Sequence, residues 1–227
     1  MKRIITVLLA ALLTLSLAAC GSRVETKKLA GTWTCTIDVT DRMNAAAEQA
    51  LGLSAADGAA QMPLQLVLTV AEDGAYTLRY DSDAVRTALD DYAAALRPAA
   101  VESVYAAAEE QGLSREAYDA AMEKAGVTMD DMVAAIFAGV DEEELLSLLT
   151  GRSAALTGYC RAEGGQLYLA DTAADLAETT DCLSYTLSDG TMTWTDAQGE
   201  LSSQLTEEEQ ELLRVPLTWT KQAEESK

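Results

Sequence analysis

Eight short stretches of this chain alternate apolar and polar residues with a period of two, and that period constrains the fold more than any other feature. In residues 29–39, "LAGTWTCTIDV", the odd positions Leu29, Gly31, Trp33, Cys35, Ile37 and Val39 are apolar or small. Thr32, Thr34, Thr36 and Asp38 fall between them. Successive side chains of a strand point to opposite faces, so this stretch predicts a strand covered on one face only. Leu64, Leu66, Leu68 and Val70 repeat the pattern, and after a turn at Asp73 and Gly74 so do Tyr76, Leu78 and Tyr80. Leu156, Gly158 and Cys160 precede the turn "AEGG", and Leu167 and Leu169 follow it. Leu183, Tyr185 and Leu187 lead into Asp189 and Gly190, Met192 and Trp194 leave that turn, and Leu217 and Trp219 close the series. Asp-Gly and Gly-Gly between alternating runs are hairpin signals, because these turns use positive φ. Eight one-faced antiparallel strands hide both sheet edges most simply by closing into a barrel.

Two segments change period. "DRMNAAAEQALG" reads as a short helix with Met43, Ala47 and Leu51 on one side and Gly52 as its stop. Residues 82–151, between the third and fourth strands, carry Val85, Leu89, Tyr92 and Leu96, then Val101, Val104, Tyr105 and Ala108, at helical spacing. Pro98 is expected to open a new helix, since proline suits a first turn and disrupts an interior. Ser114, Thr128 with Asp131, and Asp141 with Glu144 read as N-caps, and Gly112, Gly126 and Gly151 as stops. The insertion is thus about four short Ala-rich helices, with apolar faces carrying Met122, Met132, Ile136, Phe137, Leu145 and Leu149. The expected fold class is mainly β with an α insertion, an eight-stranded antiparallel barrel interrupted between strands three and four.

The N-terminus has the anatomy of a secretory signal: Lys2 and Arg3, then the apolar run "IITVLLAALLTLSLAA", short for a membrane span. Residues 17–20, "LAAC", resemble the bacterial lipobox. That resemblance implies cleavage after residue 19, acylation of Cys20 and an extracytoplasmic protein held on the cell membrane, or on an outer membrane in a double-membraned envelope, through two or more acyl chains. Residues 20–28 are then a polar tether.

Removing residues 1–19 makes the formal charge of −21 two units more negative, which opposes nucleic acid or anionic headgroups as partners. The acids are adjacent on helices or in first turns, as in Asp90-Asp91, Asp130-Asp131 and Glu142–Glu144, and none has calcium-loop spacing. There is no histidine, which removes His triads, His metal sites and His proton shuttles together. No G-x-S-x-G or S-x-x-K is present. No enzyme, cofactor or metal is expected. With Cys20 acylated, Cys35, Cys160 and Cys182 leave three possible disulfide pairs with one thiol over, or three reduced thiols.

"GTW", Gly31, Thr32 and Trp33, lies in the first strand, and Lys221 lies in the last, "LTWTKQ". This arrangement resembles the lipocalin-like (calycin-type) barrels, in which a Gly-x-Trp Trp closes the barrel floor under a basic residue from the last strand. The resemblance covers residues 29–81 and 152–222, leaving 82–151 as the helical insertion and 223–227 as a tail. It departs from the family in that long insertion and in lacking a second motif. It implies a barrel floor of Gly31, Trp33 and Lys221, with Trp33 structural. It also implies one small apolar or amphipathic ligand, contacted by the inward aromatics Tyr76, Tyr80, Tyr185 and Trp194 and covered by the insertion. The alternative is a filled barrel whose insertion docks an envelope protein.

Overall fold

The computed structural model describes residues 24–54, 60–138, 155–198 and 214–223. The signal and Cys20, the helix signals at Asp141–Glu144, Leu145, Leu149 and Gly151, and the last four residues lie outside them. Eight strands form a closed antiparallel barrel in chain order: β1 Gly31–Asp38, β2 Pro63–Val70, β3 Ala75–Tyr80, β4 Leu156–Glu163, β5 Gln166–Ala170, β6 Cys182–Ser188, β7 Thr191–Gln198 and β8 Leu217–Lys221. β8 pairs back on β1, Trp33 opposite Lys221 and Thr34 opposite Thr220, so no strand edge is left open.

Each strand forms where alternation led one to expect it, and the turns follow their residues. Asp189 and Gly190 both have positive φ, 47° and 76°, as a two-residue hairpin requires, and Ser188 faces Thr191 across it. The β2–β3 turn has a stricter demand. Gly74 has φ 90°, its N–H donates to the Ala71 carbonyl at 3.0 Å, and its carbonyl accepts from the Cys160 amide at 2.7 Å. A Cβ there would lie 2.3 Å from the Cys160 carbonyl oxygen. Only glycine allows both that φ and that approach.

Among the described residues the helices are α1 (residues 24–29), α2 Thr40–Leu51, α3 Ser82–Glu110, α4 Arg115–Ala125 and α5 Met129–Phe137, with a 3₁₀ turn at Asp175–Ala177. Ser114 and Thr128 cap α4 and α5 as expected, Thr128 and Asp131 exchanging bonds in a full capping box. Gly52 and Gly126 end α2 and α4 in left-handed conformation.

Pro98 corrects one expectation: it does not open a helix but sits inside α3, a single helix of 29 residues. The reason is the buried stripe Val85, Ala88, Tyr92, Leu96 and Ala100, which continues through the proline at helical spacing. Breaking the helix there would expose one half of that stripe, and the loss outweighs the missing hydrogen bond.

By internal contacts the chain divides into two compact units, one of Met1–Cys35, Leu66–Tyr80 and Ala154–Lys227, the other of Thr36–Gln65 and Asp81–Ser153. The second holds α2 to α5. The Tyr92 hydroxyl donates to Asn44 Oδ1 at 2.7 Å, joining α3 to α2, and α3 packs on α4 and α5. Arg115 at the start of α4 binds Glu102 and Glu109 of α3 and lies 4.7 Å from the Tyr105 ring centre.

Candidate functional site

Residues directly opposite each other on paired strands share a face, so the register identifies the inside of the barrel. Leu66, Leu68 and Val70 face Tyr80, Leu78 and Tyr76. Tyr76 and Leu78 face Gly158 and Leu156, and Cys160 and Ala162 face Leu169 and Leu167. Leu167 faces Leu183, Tyr185 faces Trp194, Met192 faces Trp219, and Trp194 faces Leu217. The opposite face carries Thr77, Arg79, Thr157, Arg161, Ser184, Thr193 and Thr218 at the intervening positions. Tyr76, Tyr80, Tyr185 and Trp194 therefore share one apolar inner surface. A register shift between Ser184 and Tyr185 is what keeps Tyr185 opposite Trp194.

The residues of the Gly-x-Trp motif lie at one end of this surface, where β1 begins. Trp33 is fully buried, its indole N–H donating 2.7 Å to the Leu29 carbonyl, and the Lys221 ammonium lies 5.4 Å from its ring centre. A Cβ on Gly31 would meet Lys221 Cε at 2.7 Å, so the lysine stem crosses the motif's glycine. α1 packs at the same end. Thr26, 6% exposed, accepts from the Ala162 amide at 3.0 Å, Glu25 accepts from the Gly164 amide at 2.9 Å, and Lys27 pairs with Glu72 at 3.3 Å. Residues 24–28, read from sequence as tether, are thus partly built into the barrel.

Burial varies around the inner surface. On β7, β8, β1 and β2 it is packed: Trp33, Cys35, Leu66, Leu68, Met192, Trp194, Leu217 and Trp219 are all buried. Trp194 and Trp219 lie 4.7 Å apart between ring centres, and neither indole N–H has a hydrogen-bond partner among the described residues. On β3 to β6 burial is mixed: Cys160, Ala162, Leu167 and Leu183 are buried, whereas Tyr76, Leu78, Tyr80, Leu156, Leu169 and Tyr185 face inward yet remain partly exposed. Solvent therefore reaches part of each of these six side chains, which a fully packed interior would not allow. The Tyr76 ring and hydroxyl pass over Gly158, 3.0 Å from where a Cβ would stand. Burial first, then the charge of Glu25 and of Cys160, push the Tyr185 phenol up.

Tyr76, Tyr80 and Tyr185 are thus partly exposed inner positions, and Trp194 is buried against Trp219. Leu78, Leu156 and Leu169 were legible from sequence as inward positions but not as site residues, because alternation assigns a face and says nothing about which wall is filled. Cys35, Cys160 and Cys182 are buried and form no disulfide among the described residues. No group of three or more His, Cys, Asp or Glu among the described residues could hold a metal ion, and no helix among them is long and apolar enough to cross a membrane. No protein-family model, curated protein or solved structure matches the chain.

Proposed function

We propose that this chain is a lipid-anchored bacterial envelope protein, acylated at Cys20, whose lipocalin-like barrel holds one small apolar or amphipathic molecule. The observation that carries the reading is the partly exposed inner wall of Tyr76, Leu78, Tyr80, Leu156, Leu169 and Tyr185 inside a closed barrel. An apolar surface with a few polar tips is the usual form of a small-molecule site. The ligand's acceptor chemistry follows from the donors present. Tyr76, Tyr80 and Tyr185 each bring a phenol to the wall, which suits a carbonyl, ester or ether oxygen. Among the described residues Lys221 is the only charged one in the paired inner register, and it stands at the Trp33 end, which favours a neutral ligand. A neutral naphthyl ketone dye tests this: its emission shifts to the blue and rises on binding to the wild type and less so to Tyr185→Ala. Unchanged emission with the wild type would sink the reading.

The packed wall of Trp33, Met192, Trp194 and Trp219 favours a second reading, a filled barrel serving as an envelope scaffold. It predicts no dye response in any variant.

A further inference from the structure

The described chain begins at a fixed point on the barrel. β1 starts and β8 ends at the same barrel end as the turns after Val70, Glu163 and Ser188, because antiparallel strands alternate direction. α1 is fastened there at four places. Glu25 takes the Gly164 amide, Thr26 takes the Ala162 amide, Lys27 pairs with Glu72, and the Leu29 carbonyl takes the Trp33 N–H. Val24, the first described residue of α1, is 57% exposed and is one of three exposed large hydrophobic residues among those described. Cys20 is four residues before it. Four residues of extended chain reach at most about 14 Å.

We propose that α1 is a rigid joint that holds the barrel end-on to a lipid bilayer. The turns at Gly74, Gly164 and Gly190 and the Trp33–Lys221 pair face the membrane, and the opposite barrel end points away, about 20 Å farther out at some 3.3 Å per strand residue. This rests on the reading of Cys20 as acylated. A tether attached to a loose N-terminus would let either barrel end approach the bilayer; one ending in a helix with a buried Thr26 keeps this end the nearer one.

The test uses the full chain processed in a bacterial host and reconstituted in phosphatidylcholine vesicles containing a nickel-chelating lipid. Nitroxide is attached at Ser188→Cys, beside the turn at Gly190, or at Ala174→Cys, in the exposed β5–β6 connection at the other end. Cys35, Cys160 and Cys182 are buried and leave the label to the introduced thiol. Spin relaxation by the headgroup nickel is expected to be several-fold stronger at position 188 than at 174. A flexible Gly-Ser insertion between Arg23 and Val24 brings the two together. Equal relaxation in the uninserted protein, or stronger relaxation at 174, overturns the orientation while leaving the anchor intact. Failure of the chain to float with vesicles, with Cys20 unmodified by mass, overturns the anchor and the orientation with it.

Discussion

The Lys221 ammonium of the last strand lies 5.4 Å from the ring centre of Trp33 in the first, on directly paired positions, so this contact lies on the seam where β8 pairs back on β1. Truncating a fully buried tryptophan leaves a large void, and Trp33→Ala is expected to lose about 3–5 kcal/mol of stability by urea denaturation. Lys221→Met keeps the stem over Gly31 and removes only the charge, and it is expected to lose about 0.5–1 kcal/mol. Equal losses in the two variants would mean that the pair does not work this way.

Gly74 joins a positive φ to a backbone contact. Gly74→Ala is expected to lower the urea midpoint well beyond Gly52→Ala, where a Cβ meets nothing within 4 Å and only the left-handed backbone costs about 1 kcal/mol. Similar midpoints for the two would show that the turn moves away from Cys160 freely.

Pro98 interrupts α3 without ending it. Pro98→Ala restores an N–H to the helix and is expected to stabilise the protein by about 1–3 kcal/mol, read as a rise in melting temperature. A fall would show that the proline fills a place that the rest of the helix needs.

Burial and the nearby charge of Asp73 push the Cys160 thiol up to about 12, and burial raises Cys35 and Cys182 as well. A raised thiol keeps its proton longer in the folded state than in the unfolded one. Its contribution to stability is therefore complete below the ordinary value of 9.0 and is lost as pH rises toward 12. Urea midpoints should fall over that window, and Cys160→Ala should fall less steeply. None of the three thiols should react with iodoacetamide in the native protein at mildly alkaline pH; rapid labelling of Cys160 would place it at the surface.

The two residues of one register pair should separate stability from binding. Trp194, 6% exposed and packed on Trp219, is expected to lose about 3–5 kcal/mol on replacement by Ala. Its partner Tyr185, partly exposed, is expected to lose about 1 kcal/mol and most of the dye response.

These outcomes mark how far the sequence could be read. Strands and hairpins were legible because alternation and Asp-Gly or Gly-Gly are local signals, and the pairing of Trp33 with Lys221 followed from a resemblance at the first and last strands. Pro98 misled because the local rule for proline gave way to a buried stripe that runs on both sides of it. Residues 24–28 carry no period, and their docking depends on Ala162 and Gly164, well over a hundred positions away. The division between Trp194 and the tyrosines depends on how eight strands close, which no single strand encodes.

Native mass spectrometry of the protein released gently from its membrane tests the central claim most directly. A discrete small molecule, retained at low activation and lost at high, is the predicted result. A clean ligand-free mass that persists after exposure to mixed membrane lipids would contradict the binding barrel.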